Sequence, residues 1–252
     1  MKAIVTGASG GLGLEFAKLL AAGGHDLVLV ARSGDKLEAI AADLRARHGV
    51  AVDTVAQDLG VPGAAAALVA RVPACDILIN NAGFASHGRF DQLPSERIRE
   101  ELLLDVVTLT ELTHAYLPGM RARGAGRIMN VASTAGFAPG PFMAVYYAAK
   151  AYVISFSQAL SEELRGSGVT VTCLCPGATA TGFAHRAEMA GTMLFGRLPV
   201  ADATSVAKAG YTAMMAGKDL IVPGLWNKLI AYSSRISPRR LVLWMSRKMV
   251  EG

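Results

Sequence analysis

The chain has 252 residues, 52% of them hydrophobic and 18% charged, with 27 glycines and only 6% aromatic side chains. That composition supplies a sizeable core and excludes a disordered chain, and the many glycines with few aromatics favour an α/β protein with tight turns over a β-sandwich. The net charge of +5 belongs to residues 225–252, where Lys228, Arg235, Arg239, Arg240, Arg247 and Lys248 face Glu251 alone, so a neutral body argues against a nucleic-acid partner. Cys75, Cys173 and Cys175 make neither a disulfide framework nor a metal-ligand set and are expected as buried thiols. Reduced thiols without a secretory signal point to a cytoplasmic protein. No apolar run reaches the roughly 20 residues of a membrane-spanning helix.

Residues 2–6 read as a short buried strand that runs into Gly7-Ala8-Ser9-Gly10-Gly11-Leu12-Gly13 and then into helical spacing. Glycines between strand and helix let the backbone approach a phosphate, and the helix N-terminus adds free N–H groups and partial positive charge. The spacing of Gly7, Gly11 and Gly13 differs from the commonest dinucleotide fingerprint, G-x-G-x-x-G. A second buried strand, 27–31, ends at Arg32 and Ser33. An acid at that place binds the ribose 2′-OH of NAD; an arginine suits the 2′-phosphate of NADP, which is therefore the expected cofactor over NAD.

Helix 35–47, strand 50–55 with Asp58-Leu59 after it, helix 63–71 and strand 76–79 follow, the last ending in Asn80-Asn81-Ala82-Gly83. Residues 95–117 read as one long helix closed by Pro118-Gly119, with Asp105 inside its apolar stretch. Strand 127–132 leads to Ser133, helix 146–164 follows, and strand 169–174 ends near Pro176-Gly177. Residues 183–199 read as a mobile lid with apolar contacts, then come helix 200–216 and strand 220–222. The alternation implies a doubly wound parallel sheet, a Rossmann fold, in one domain over 1–224. The extension 225–252 is basic and amphipathic, divided by Pro238 into two helical pieces. It suits either peripheral contact with an anionic membrane or packing over the substrate cleft or a dimer partner, and packing is the expected role.

The chemistry centres on Tyr146-Tyr147-Ala148-Ala149-Lys150. A lysine four residues after a tyrosine shares its helix face, and a nearby cation lowers a phenol's pKa. With a hydroxyl from Ser133, the set can move a proton at a carbonyl oxygen. Phe84, Phe90, Phe137, Phe142 and Met143 flank these motifs, so an apolar pocket is expected, for an aliphatic, fatty or steroid-like ketone or alcohol.

Taken together, Thr6-Gly7 with Gly11 and Gly13, Asp58-Leu59, Asn80-Asn81-Ala82-Gly83, Ser133, Tyr146 with Lys150, and Pro176-Gly177 with Thr181 resemble the classical short-chain dehydrogenase/reductase family. The resemblance covers residues 2 to about 224 and implies an NADP-dependent enzyme acting on CH-OH. It implies that Tyr146 is the acid or base, that Lys150 holds the nicotinamide ribose and makes Tyr146 more acidic, and that Ser133 orients the substrate oxygen. Asp58 would contact adenine, Asn81 would lie near its ribose, and Thr181 would bind the carboxamide. Thr6, Gly7, Ser9, Gly11, Leu12, Gly13, Arg32, Ser33, Leu59, Ala82, Gly83, Pro176, Gly177 and Thr179 complete the implied cofactor set. Asp105, 28 residues before Ser133, stands where the family has a catalytic asparagine. A carboxylate there would offset the Lys150 charge and move the pH optimum up, or, as an alternative, mark an NADP-binding sensor with little turnover. The segment before Tyr146 and the tail are similar to hydroxysteroid and long-chain ketoacyl reductases. The family also implies a homodimer or homotetramer built on the helices beginning near Ser95 and Tyr146.

Overall fold

The computed structural model describes residues 1–181 and 200–251. Its strands are β1 (Lys2–Thr6), β2 (Asp26–Ala31), β3 (Val52–Ala56), β4 (Ile77–Asn80), β5 (Gly126–Val131), β6 (Val169–Leu174) and β7 (Leu220–Ile221). In β1, Ala3 and Val5 enter one core while Ile4 enters another. A strand apolar on both faces belongs inside a sheet covered on both sides. All seven strands are parallel, in the order β3-β2-β1-β4-β5-β6-β7, with Val5 registered against Leu29 of β2 and Ile79 of β4. The chain reverses direction across the sheet between β1 and β4, and ligands of such sheets bind at the carboxyl ends beside that reversal.

One face is covered by α1 (Gly11–Ala22), α2 (Gly34–His48) and α7 (Ala203–Met215), which contribute Phe16, Leu20, Leu37, Leu44, Ala207 and Met214 to its core. On the other face lie α3 (Ala64–Arg71), α5 (Leu109–Ala122) and α6 (Ala144–Glu163). Leu68, Leu112, Tyr116 and Met120 pack there beneath β4 and β5. Cys173 and Cys175 are free and buried, their sulfurs 3.7 Å apart, as expected for thiols on one strand face.

The expected single helix over 95–117 is three pieces. It comprises α4 (Ser95–Leu102), a π-helical stretch Leu103–Thr108, and α5, which continues through Pro118 to Ala122. Proline removes one donor, yet the flanking helix carries α5 a further turn. The π stretch inserts an extra residue per turn, the kind of bulge found at functional sites. It holds Asp105, completely buried.

The C-terminal segment forms α8 (Leu225–Ile236) and α9 (Arg239–Val250), with Pro238 immediately before α9. Ser234 Oγ donates to the Phe137 carbonyl at 2.8 Å, Phe137 and Tyr232 rings lie 6.2 Å apart, and a His87 ring nitrogen is 2.8 Å from the Val250 carbonyl oxygen. The expected packing over the cleft is what α8 and α9 do. The expected lid over 183–199 lies outside the described residues.

Candidate active site

The turn after β1 tolerates no side chain where it is tightest. Gly7 has φ +67°, in the left-handed region, and a Cβ there would come 2.8 Å from Asn81 Nδ2. Gly13 lies so close to the Gly7 carbonyl oxygen that a Cβ has no room. The bare backbone and the N-terminus of α1 therefore face a groove along the ends of β1 and β4. Thr6 holds the turn from behind. Its hydroxyl donates to the Ile79 carbonyl and accepts from the backbone N–H groups of Asn81 and Ala82, each at 2.9 Å. The Asn81 amide donates to the Thr6 carbonyl at 2.9 Å, so although Asn81 lines the groove, its side chain ties β4 to the turn.

Two cavities lie along this groove, both bounded by Gly7, Gly10, Ala82 and Gly83. The outer one, about 340 Å³, is lined by Ser9, Arg32, Ser33, Asp58, Leu59 and a residue outside the expected set, Lys36. Asp58 Oδ1 accepts from the Gly60 N–H at 2.8 Å, which fixes this loop. Arg32, Ser33 and Lys36 are exposed. The inner cavity, about 210 Å³, brings together Gly11, Leu12, Ser133, Tyr146, Lys150, Pro176, Gly177, Thr179 and Thr181. Thr179 Oγ1 donates to the Gly177 carbonyl at 2.9 Å. Thr6 and Gly13 support the groove without lining it. A glycine cradle in the middle, two cations at one end and a phenol with an ammonium at the other fit a phosphorylated dinucleotide.

Tyr146 and Lys150 are both buried on one face of α6, with Lys150 Nζ 5.5 Å from the Tyr146 ring centre. Ser133 follows the end of β5, hydrogen-bonds with Tyr146, and accepts from the Ala135 N–H at 3.1 Å. Lys150 Nζ donates to the Val131 carbonyl at 3.2 Å and to Asp105 Oδ1 at 3.4 Å. Asp105 reaches the inner cavity only through Lys150. Gly83 makes this possible, because a Cβ there would run into Asp105 Oδ1 and stand 3.4 Å from Lys150 Nζ.

The expected lowering of the Tyr146 pKa is reversed. Burial pushes the phenol above its ordinary value, the Asp105 charge pushes it further, and the Ser133 hydrogen bond only partly opposes them. The effect expected of Asp105 thus has the right sign, while the opposing pull on the phenol comes from Ser133 rather than from Lys150. Burial also pushes Asp105 up to about 6 against the pull of Lys150. One turn earlier, Glu101 is fully buried, accepts from the Ser86 N–H at 3.0 Å, and is pushed up by burial to about 7. Glu101 Oε1 and Asp105 Oδ2 have no hydrogen-bond partner among the described residues. Glu101 escaped the reading of the sequence because a glutamate in Ser95–Leu102, among charged neighbours, looks solvated.

The expected ring of aromatics is largely elsewhere. Phe90 is exposed, Phe137 packs on Tyr232, and Phe84 lines the outer cavity with the Arg97 guanidinium 4.9 Å from its ring centre. Met143 lines the inner cavity, joined there by Ile230, Ser246 and Met249 from α8 and α9.

A family model described as short chain dehydrogenase matches residues 1–190. The chain is 36% identical over 181 residues to a very-long-chain 3-oxoacyl-CoA reductase of Pyrenophora tritici-repentis, a match covering 68% of this chain and 53% of that protein. It thus spans about half the length of that relative. Over 244 residues it is 34% identical to the ketoacyl reductase HetN of a Nostoc species, covering 93% of this chain and 84% of that one. Among solved structures, a short-chain dehydrogenase from Sphingobium yanoikuyae in complex with NADPH superposes with a TM-score of 0.82, at 35% identity over 93% of this chain and 94% of that one.

Proposed function

The chain belongs to the short-chain dehydrogenase/reductase family, and from that premise we propose that it is an NADP(H)-dependent oxidoreductase interconverting a ketone or aldehyde and an alcohol. The observation that carries this reading is the meeting of Ser133, Tyr146 and Lys150 in one cavity that continues into the glycine turn. The turn and the N-terminus of α1 hold the pyrophosphate, Arg32 and Lys36 the 2′-phosphate, and Thr181 the nicotinamide end. When bound, NADPH supplies a hydride to the carbonyl carbon.

Ser133 and Tyr146 hold the carbonyl oxygen, and Tyr146 gives it a proton. A phenol held above its ordinary pKa keeps its proton at neutral pH, so Tyr146 is present as the acid, though a weaker donor than a phenol tuned towards neutrality. Lys150 stabilises the phenolate left behind. Two of its three N–H groups are engaged by Val131 and Asp105, which fixes the ammonium beside Tyr146 and leaves the third for the cavity. Asp105 and Glu101 act as positioning residues behind Lys150.

The substrate is an apolar ketone of fatty or ketoacyl type. Met143, Ile230 and Met249 in the cavity wall support this, as do the names of the relatives at 36% and 34% identity. A second copy covers the exposed Leu102, Val107 and Tyr152, on α4, the π stretch and α6, to make a homodimer or homotetramer. NADPH oxidation is followed at saturating cofactor against aliphatic ketones and 3-oxoacyl thioesters of rising chain length, then repeated with NADH. The expected result is kcat/KM that climbs with chain length and collapses with NADH. Turnover on short polar ketones alone overturns the substrate class, and none on any carbonyl overturns the function.

A further inference from the structure

We propose that the outer faces of α8 and α9 dock on the surface of an anionic lipid bilayer. The two helices are two-sided. Inward, Ile230, Ser246 and Met249 line the inner cavity, and Ala231 and Val250 are buried. Outward, Leu225, Leu229, Tyr232 and Ile236 recur at helical spacing on one exposed stripe of α8, with Leu225 82% and Ile236 88% exposed. Trp226 flanks that stripe, and Leu241, Leu243, Trp244 and Met245 extend the exposed apolar surface along α9. So many large apolar side chains side by side on two consecutive helices mark an interaction surface.

Charge selects the occupant. Lys228, Arg239, Arg240, Arg247 and Lys248 are exposed on the same two helices, whose segment carries the whole net charge of the chain. Arg247 and Lys248 are 3.1 Å and 3.7 Å from Glu251, the one acid in the segment, which leaves Lys228, Arg239 and Arg240 to face outward. A second copy placed isologously on this face would set like charges against like. An anionic headgroup layer meets the cations and takes up the apolar side chains between them, with the tryptophans at the boundary. Each helix has 12 residues, and no helix among the described residues is long and apolar enough to cross a membrane, so both lie in the plane of the interface. The wall of the substrate cavity then rests on the phase in which apolar ketones dissolve. The docking itself is read without turnover and stands apart from the proposed activity.

Trp226 and Trp244 are the only tryptophans in the chain, so tryptophan emission, excited beyond the tyrosine band, reports this surface alone. The full-length protein is titrated with phosphatidylcholine vesicles with and without 30% phosphatidylglycerol, a fraction of about one lipid in three chosen to give a strongly negative surface, and assayed by tryptophan emission and by flotation. Binding with a blue shift is expected for the anionic vesicles, weakening several-fold at high salt. The double variant Leu225→Glu, Ile236→Glu should lose at least tenfold in vesicle affinity with an unchanged circular dichroism spectrum, since both side chains are almost wholly in solvent. Equal affinity for neutral vesicles, or none for either kind, overturns the proposal. So does a blue shift that appears with protein concentration alone and vanishes in the double variant, because a second copy then covers the face.

Discussion

The two ends of the cofactor groove use charge in opposite ways. At the outer end Arg32 and Lys36 stand in solvent along the cavity wall, open to a phosphate. At the inner end Lys150, Asp105 and Glu101 are buried together, where Lys150 pulls both carboxyls down and Asp105 pushes Glu101 up. Exposed charges recognise a ligand through screened and nearly independent contacts. Buried charges set proton affinities, and altering one alters all. In the proposed function the outer end would choose the cofactor and the inner end would tune the acid.

The largest expected effect is at the inner end. Tyr146→Phe removes the proposed proton donor while keeping the ring that packs in the cavity, so kcat should fall by about three orders of magnitude, the middle of the range for general acid catalysis. NADPH affinity, measured by fluorescence titration, should change less than about threefold, since glycine turn and cations are untouched. A large loss of cofactor binding would show that the two ends are not separable.

Next comes the outer end. Removing Arg32 and Lys36 together by alanine should raise the KM for NADPH roughly 10- to 100-fold, one charge-assisted contact for each, and leave the KM for NADH unchanged. In the unaltered protein the NADPH advantage should shrink as salt rises. An NADPH preference that survives the double variant would move 2′-phosphate recognition away from β2.

Asp105→Asn probes the coupling directly. The Asp105 charge is one of the forces holding the Tyr146 pKa up, and near neutral pH the carboxyl, at about 6, is mostly ionised. Its removal should lower the Tyr146 pKa and move the basic limb of the kcat profile for reduction down by about one unit. No shift, or an upward one, would mean that Lys150 rather than Asp105 dominates the phenol.

How much of this was legible in the sequence depends on whether a residue's role is local. Gly7, Gly11 and Gly13 could be read because a tight turn from strand into helix needs bare backbone within a few residues, and Tyr146 with Lys150 because one helix turn brings them together. The π stretch could not, since a helix period of 3.6 continues through Leu103–Thr108 and nothing in that pattern marks one extra residue per turn. The cavity wall from Ile230, Ser246 and Met249 was also out of reach, because only the docking of α8 and α9 brings those side chains back to Tyr146. Asp105 stood out by comparison with the family, whereas Glu101 had no such marker.

Glu101 gives the smallest effect and the one most specific to burial. Its carboxyl is pushed up from 4.5 to about 7, so the folded state binds a proton more tightly than the unfolded chain does. The corresponding stability is present in full below about pH 4.5 and is lost as pH rises through 7. The whole shift corresponds to about 3 kcal/mol, using 1.36 kcal/mol per unit. Glu101→Gln removes the charge but places amide protons where Oε1 now has no partner, which takes back about 1–3 kcal/mol. The net gain at pH 8 should therefore be about 1 kcal/mol, falling to zero or reversing at pH 4.5, read from urea midpoints at the two pH values. Asp105 titrates in part of the same window and its charge helps to hold Glu101 up, so the same pair of measurements on Asp105→Asn separates the two contributions. A variant equally stable relative to the parent at both pH values would place Glu101 in contact with water, and the inner end would then share the screened character of the outer one.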